Sequence, residues 1–210
     1  MNRILDESGG RVLAFGAHPD DLEVGAGGLL ARLAEQGAEV TLAIVSVPNR
    51  AEERSAEARA GAEILGADDL FILYDEERCR VEDIPMHELV RRFDTLVGDV
   101  RPDLVITHSA NDMHWDHGLV NRATLSALRR TPCDLLAFLS SPEMNAQARS
   151  LGQCFADISS TIDTKLAAIS AHATQLPRLD LESSRDLARA MGRISGFDFA
   201  ETYEVLRVRV

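Results

Sequence analysis

Two short clusters of histidine and aspartate are the groups in this sequence best suited to chemistry. The first is His18-Pro19-Asp20-Asp21, and the second, much later in the chain, is His114-Trp115-Asp116-His117. Imidazole nitrogens and carboxylate oxygens bind zinc in catalytic sites, where three protein ligands leave one coordination position open. The carboxylates and the imidazole that are not needed as ligands are groups that transfer protons in hydrolases. Together, the two clusters indicate one catalytic metal site.

The spacing within each cluster supports this interpretation. His18 and Asp21 are three positions apart, so both side chains can face one ion from a single tight turn. His114 and His117 have the same spacing, which also suits residues on one turn of a helix. That spacing would allow His114 to be a fourth ligand, which would close the site. We favour a charged His114 that acts as an acid, because Asp116 offers a carboxylate to accept its other ring N–H.

Simpler structural roles are also open to these residues. Asp is a good N-cap residue and Pro suits the first turn of a helix, so the first cluster could serve only to start one. A single histidine is more often structural than catalytic, and we treat His87 and His172 as surface or packing residues. Two clusters that each follow an apolar run favour the metal site over capping.

The apolar runs that precede the clusters predict the strands that position them. Val12–Gly16 leads into the first cluster, and Leu104–Thr107 precedes the second. Such strands alternate with segments of helical length over the first two thirds of the chain, a pattern typical of a parallel sheet. Open parallel sheets bind ligands at the carboxyl ends of their strands, where both clusters would lie. We therefore predict an α/β fold: a single-domain Rossmann-like three-layer sandwich with a mostly parallel sheet and helices on both faces.

The same patterns predict the bounds of the elements. The expected strands of the core are Arg11–Gly16, Glu39–Val47, Leu70–Leu73, Leu104–Thr107 and Leu135–Leu139, and the expected helices are Gly25–Gln36, Ala51–Leu65, Met86–Val97 and His117–Arg129. The last third predicts a strand at Cys154–Ile158, helices at Thr161–Thr174 and Leu181–Ser195, and an alternating run at Thr202–Val210. We interpret residues 1–210 as one domain, with a core over 11–140 and a C-terminal strand and helix extension over 150–210.

Composition narrows the range of partners and locations. The formal net charge is −12, from 22 Lys and Arg against 34 Asp and Glu, which argues against nucleic acid as a partner because phosphate binding needs clustered cations. Cys79, Cys133 and Cys154 lack metal-binding spacing, and an odd number of cysteines suits a reducing compartment. No apolar stretch approaches the ~20 residues that cross a bilayer. We expect a cytoplasmic protein without a membrane span.

The motifs resemble those of the LmbE-like or PIG-L family of metal-dependent de-N-acetylases. The first family motif, His-Pro-Asp-Asp-Glu or a close variant, is similar to His18–Glu23, and the second, His-x-Asp-His, is similar to His114–His117. Weaker similarities extend the resemblance over nearly the whole chain, at Arg54–Ala58, Leu65-Gly66, Lys165, His172–Gln175 and Phe199–Thr202. The paired metal motifs are its specific part.

The resemblance implies a site and an activity. It makes three residues zinc ligands: His18, Asp21 and His117. It makes Asp20 the general base, His114 the acid or oxyanion-stabilising group, and Arg54 a substrate contact. The implied reaction removes an N-acetyl group from a small molecule that contains N-acetylglucosamine, such as a glycoside, an antibiotic intermediate or a lipid-linked sugar, with release of acetate and an amine. The implied cofactor is Zn²⁺, with Fe²⁺ or Mn²⁺ as alternatives for the same donors, and the implied assembly is a homo-oligomer.

Two positions depart from the family pattern. Leu22 replaces the acidic residue that often follows the Asp pair, although Glu23 can stand in for it, and Asp112 occupies a place where some relatives have a carbonyl-polarising tyrosine. A non-catalytic nucleotide- or sugar-binding module on the same fold is the alternative function. The first strand lacks a G-x-G-x-x-G loop, and two carboxylates there would repel a pyrophosphate, so we favour the enzyme.

Overall fold

A computed structural model gives the structure of the protein over residues 10–75, 79–139 and 152–209. Its strands are β1 (Arg11–Gly16), β2 (Glu39–Ser46), β3 (Asp69–Tyr74), β4 (Leu104–His108), β5 (Asp134–Phe138), β6 (Cys154–Asp157) and β7 (Ala200–Arg207). Its α-helices are α1 (Asp21–Glu35), α2 (Ala51–Leu65), α3 (Met86–Val100), α4 (Trp115–Ala127), α5 (Ile162–Ser170) and α6 (Leu181–Ser195), with short 3₁₀ turns at Val81–Asp83 and Leu128–Arg130. The expected boundary between core and extension lies outside the described residues, as does Val210.

All seven strands belong to one sheet, in the order β3-β2-β1-β4-β5-β7-β6. The first five are parallel, whereas β7 runs antiparallel to β5 and β6 antiparallel to β7. Alternate residues of β1 enter two separate cores: Val12 and Ala14 pack against α1, while Leu13 and Phe15 pack on the opposite side with α3 and α4. The predicted single-domain α/β fold with a mostly parallel sheet is confirmed.

Both motif-bearing helices begin earlier than their sequence patterns predict. α1 begins at Asp21 instead of Gly25, and α4 begins at Trp115 instead of His117. Gly25 therefore lies inside α1 and does not mark its start. At this position the helix lies very close to the sheet, since a Cβ on Gly25 would be 2.0 Å from a ring carbon of Phe138 in β5. The candidate site residues therefore lie on or beside the first turns of two helices packed tightly on the sheet.

The order in which the chain adds strands to the sheet reverses at β1. This reversal leaves a crevice between the two motifs. From β1 the chain moves outward through β2 and β3, and then crosses to β4 on the other side of β1. Such a switch point leaves an opening at the carboxyl ends of the two central strands. Ala17, which follows β1, donates its backbone N–H to Nε2 of His108, the last residue of β4, at 3.0 Å. The two loops are thus joined directly.

A buried ion pair attaches the C-terminal strands to α1. The Lys165 ammonium lies 2.5 Å from Oε1 of Glu201, and the two side chains are only 6% and 5% exposed. The Glu201 carboxylate also accepts the backbone N–H groups of Gly28 and Leu29, at 2.9 Å each, and the hydroxyl of Tyr203 at 2.7 Å. α5, α1 and β7 meet at this one carboxylate.

A second contact from β7 supports the loop before the second motif. Ser109 donates its hydroxyl to one carboxylate oxygen of Glu204 at 2.7 Å, and the side-chain amide of Asn111 donates to the other at 2.8 Å. The loop from β4 to α4 is thereby fixed to the antiparallel part of the sheet. Within the described ranges, no helix is both long enough and apolar enough to cross a bilayer.

Candidate active site

The first motif forms a tight turn between β1 and α1. Asp21 is buried, and its Oδ2 accepts the backbone N–H of His18 at 2.8 Å while lying 3.6 Å from Nδ1 of the same histidine. Asp20 occupies the N-cap position of α1, but its side chain makes no capping hydrogen bond. The capping interpretation therefore does not account for the Asp20 carboxylate.

Asp20 also has an unusual backbone conformation. Its φ is 93°, in the left-handed region that residues other than glycine rarely adopt. Such a conformation costs on the order of 1–3 kcal/mol, and it persists only where the surrounding structure enforces it. Strain of this kind is concentrated at functional sites in proteins. The conformation therefore indicates that the direction of the Asp20 carboxylate is important for function.

The second motif brings His117 to the same place. Its Nε2 lies 3.3 Å from Oδ1 of Asp21, and its Nδ1 lies 2.9 Å from Oδ2 of Asp112. A carboxylate on one ring nitrogen fixes the tautomer and orientation of a metal-binding histidine, leaving the other nitrogen for the metal. Asp112, the position that departs from the family pattern, thus supports His117.

Two sets of side chains here have donor atoms within 4.8 Å of one another, as a shared ion requires: His18, His114 and His117 form one, and Asp21, His108 and His117 the other. Donor atoms around a tetrahedral zinc, at bond lengths of ~2.1 Å, lie ~3.4 Å from one another. The contacts of Asp21 with His117 and His18, at 3.3 and 3.6 Å, match that spacing. A ring nitrogen of His18 also lies within 4.8 Å of one of His117. The donor set of two imidazoles and one carboxylate fits a divalent metal that prefers nitrogen and oxygen ligands.

His108 is a part of the site that the sequence interpretation missed. It is fully buried, its ring stacks on His117 at 3.9 Å, and its Nε2 lies 3.2 Å from Oδ2 of Asp21. The same nitrogen accepts the backbone N–H of Ala17, so His108 supports both Asp21 and the loop that follows β1. The available signal was its place as the last residue of β4, on the same sheet edge as both motifs.

His114 and Asp116 differ from the expectation. The Asp116 carboxylate lies 3.0 Å from Nε2 of His18, not against His114, and His114 Nδ1 instead accepts the backbone N–H of Asp116 at 3.2 Å. Burial, together with the charges of His117 and His18, lowers the pKa of His114. The charged imidazolium expected from the sequence is therefore disfavoured. Since Nδ1 accepts, the neutral ring carries its proton on Nε2 and presents a hydrogen-bond donor.

Acidic neighbours hold protons on two of the candidate ligands when no cation competes for them. Burial lowers the pKa of His18, but its hydrogen bonds with Asp116 and Asp21 outweigh burial and raise that pKa to about 9. Burial also lowers the pKa of His117, but the Asp21 charge and the Asp112 hydrogen bond raise it to about 10. Conversely, although burial opposes ionisation of Asp21, the charges of His117 and His108 hold its pKa well below its usual value.

Metal binding is therefore expected to depend strongly on pH. A metal takes the neutral form of histidine, so at pH 7 it must displace about two protons, from His18 and His117. Because both pKa values are raised, the apparent affinity for Zn²⁺ should increase as pH rises from 6 towards 9. Calorimetric titration in two buffers of different ionisation enthalpy measures the proton count. An affinity that stays flat over this range would show that these rings are not ligands.

Arg54 lies behind Asp20. Its guanidinium is buried, Nη2 donates to the carbonyl oxygen of Pro19 at 3.1 Å, and the same nitrogen lies 3.7 Å from Oδ2 of Asp20. Burial and the charge of Asp21 raise the pKa of Asp20 to about 7, against the opposing effect of Arg54. These contacts place Arg54 against the loop that carries Asp20, so its direct effect is on that loop.

A cavity of about 220 Å³ opens beside His114. Its walls include Met113, Trp115, Leu119 and Arg122. Trp115 is 63% exposed and is the only tryptophan of the sequence. The cavity adjoins the site on the side where His114 and Asp112 lie.

Comparisons with known proteins place this geometry in a family. The family described as PIG-L, GlcNAc-PI de-N-acetylase, matches residues 13–128. An uncharacterized deacetylase of Escherichia coli, YaiS, is 30% identical over 131 residues, which cover 58% of this chain and 69% of the relative. A probable N-acetyl-α-D-glucosaminyl L-malate deacetylase 2 of Bacillus cereus is 26% identical over 184 residues, covering 78% of this chain and 83% of the relative.

A solved structure shows the same fold. The N,N'-diacetylchitobiose deacetylase of Pyrococcus horikoshii superposes with a TM-score of 0.79 at 18% identity, covering 98% of this chain and 89% of that one. The family match spans more than half of the sequence and includes both motifs. The chain therefore belongs to the PIG-L family, the LmbE-like deacetylases.

Proposed function

We propose that the protein is a metal-dependent hydrolase that removes the N-acetyl group from a small N-acetylglucosamine-containing molecule and releases acetate and a free amine. One observation carries this proposal. Asp21 contacts both His18 and His117, which come from two loops, and the ring of His114 lies beside both histidines. The names of the deacetylase relatives support an amino-sugar substrate.

We propose Zn²⁺ as the cofactor, with Fe²⁺ or Mn²⁺ as alternatives for the same donors. His18, Asp21 and His117 would hold it. When bound, such a metal polarises a carbonyl oxygen and makes a water molecule easier to deprotonate. Asp112, His108 and the Asp116 carboxylate would orient these ligands from behind.

Asp20 is assigned the proton transfers. Its carboxylate takes a proton from the attacking water as the new C–O bond forms, and gives a proton to the nitrogen as the C–N bond breaks. A pKa near 7 suits both directions of transfer, because a group close to the working pH gains and loses a proton readily. The backbone conformation of Asp20 and its contact with Arg54 set the direction of the carboxylate.

We assign to His114 the stabilisation of the oxyanion. Its Nδ1 is engaged by the Asp116 N–H, so the ring N–H on Nε2 is the group free to donate to the carbonyl oxygen as negative charge develops there. Its ring is stacked on His117 at a centroid distance of 4.4 Å, which keeps it beside the candidate ligands. The neutral His114 ring can donate its Nε2–H to the oxyanion while its Nδ1 still accepts the Asp116 N–H.

Replacement of His114 tests that assignment. His114→Ala should keep its metal and lose on the order of 10²–10³ in kcat, the usual cost of one oxyanion-stabilising donor. The matched control is His87→Ala, an exposed histidine of α3 that belongs to neither motif, and this change should leave kcat unchanged. Metal analysis and a rate assay on the same sample decide the matter. Loss of the metal from His114→Ala would instead identify His114 as a ligand.

The proposed reaction is tested by acetate release from a panel of N-acetylated amino sugars and their glycosides, with metal-loaded and chelator-treated protein. Release of acetate that requires the metal supports the proposal. If these compounds change the fluorescence of Trp115 but give no acetate with any of the three metals, the alternative of a sugar-binding module replaces it. No response in either assay would count against an amino-sugar ligand.

The remaining assignments are also proposals. We propose a cytoplasmic protein, supported by the odd number of cysteines in the sequence, which suits a reducing compartment. We propose a homo-oligomer, which sedimentation measurements would test, and one domain over residues 1–210. We propose that Arg54 contacts the substrate; the contacts that the structure shows for it are with Pro19 and Asp20.

A further inference from the structure

A second buried cluster of charges lies behind the proposed base, on the side away from the second motif. His172 and Glu23 are both almost fully buried, and His172 Nε2 lies 3.1 Å from Glu23 Oε1. Glu23 belongs to the first turn of α1, three residues after Asp20, whose carbonyl oxygen accepts the N–H of Val24. The mechanism above does not use this pair.

The pair is poorly explained as a device for stability. Besides the contact between the two side chains, Oε2 of Glu23 and Nδ1 of His172 are buried without a hydrogen-bond partner. Buried polar groups without a good hydrogen bond are rare in native proteins and are costly. A buried histidine and glutamate held under those conditions point to a role beyond packing.

One face of α2 links this pair to Asp20. Arg54 at one end of the face contacts Pro19 and Asp20, as described above. Two turns further along, a Cβ on Gly61 would lie 2.5 Å from Glu23 Oε1 and 3.1 Å from His172 Nε2. Between them Glu57 accepts the backbone N–H and the hydroxyl of Thr174, at 2.8 and 2.6 Å. α2 therefore clamps the start of α1 against the segment that follows α5.

We infer that His172 is a positioning residue for the proposed general base. By its contact with Glu23 it fixes the first turn of α1, and this turn, with Arg54 on the other side, enforces the left-handed backbone that directs the Asp20 carboxylate. The inference rests on the proposed function, since it assigns the role through Asp20. It requires that His172 affect the chemical step without touching substrate or metal.

A double-mutant cycle separates this role from a general structural one. His172→Gln should lower kcat by about 10- to 100-fold with KM and metal content unchanged, the range typical for residues that support a functional group. In an Asp20→Asn background the same change should lower kcat by less than about two-fold, because coupled residues are not additive. An equal loss in both backgrounds, or a loss that appears in KM, would overturn the inference.

A second variant covers the case in which His172→Gln does not fold. Gly61→Ala removes no polar group but pushes a methyl against the contact between Glu23 and His172, so it should lower kcat in the same way. Gly98→Ala is the matched control, a helical glycine of α3 with no atom within 4 Å of an added Cβ, and it should leave kcat unchanged. Equal kcat for the two variants would count against the inference.

A structural measurement decides the inference even if no N-acetyl compound is cleaved. In a crystal structure of His172→Gln or Gly61→Ala, Asp20 should leave its left-handed conformation or its contact with Arg54, while His18, Asp21 and His117 stay in place. An unchanged Asp20 would overturn the positioning role. Absence of acetate release from the wild-type protein, by contrast, would overturn only the proposed reaction.

Discussion

Asp20→Asn is expected to keep its metal and to lose between about 10² and 10⁴ in kcat, the usual cost of removing a general base. The amide has the same size as the carboxylate but cannot take a proton. Asp20 does not share the contacts that join Asp21 to His18 and His117, so coordination should survive the change. Metal content and kcat measured on one preparation test both halves of the expectation.

Asp21→Asn is the matched control for this prediction. It makes the same chemical change one position away, on a carboxylate that contacts both candidate histidine ligands, and it should lower metal affinity sharply. If Asp20→Asn emptied the site while Asp21→Asn left it filled, the two carboxylates would have to exchange roles. Full activity of Asp20→Asn would remove Asp20 from the mechanism.

The largest effect on stability is expected for Lys165→Met. Lys165 and Glu201 are 6% and 5% exposed, so the change leaves a carboxylate buried without its cation. Removal of one partner from a buried ion pair costs about 3–5 kcal/mol, because the remaining charge is uncompensated. Two backbone N–H groups and the Tyr203 hydroxyl still reach Glu201, which favours the lower part of that range. Urea unfolding at neutral pH measures the free energy of unfolding.

An exposed ion pair provides the comparison. Arg129 lies 2.9 Å from Asp94, but the two side chains are 53% and 38% exposed. Arg129→Met should therefore cost less than about 1 kcal/mol, as surface pairs usually do. A similar loss for both variants would show that the Lys165 contact contributes no more than a surface pair.

The position of the site could be predicted because it depends on topology. Parallel strands end at the same edge of a sheet, so two motifs that each follow a buried strand had to come close together if the strands were central neighbours. β1 and β4 are such neighbours, although the sequence patterns for single strands do not say which strands pair. The resemblance of the motifs to a family supplied that step.

The supporting residues could not be predicted because their roles depend on distance in space. His108 gained its role only when β4 was placed beside β1, and His172 only when α5 was placed against α1. The charge of His114 was predicted wrongly for a related reason. Adjacency in sequence suggested that the Asp116 carboxylate holds His114, but the first turn of α4 directs this carboxylate to His18 and leaves only its backbone N–H for His114.

The attachment of β7 has a consequence for how the chain would acquire the proposed metal. In zinc fingers the ion organises a short local segment, and folding and coordination are a single event. Here the ligand loops are separated by β2 and β3, and Glu201 and Glu204, much later in the chain, hold α1 and the loop before α4 in place. The entropy of closing those long loops is lost before any ligand is in position. The proposed metal would therefore bind to a chain whose strand order is already set, and would not determine that order.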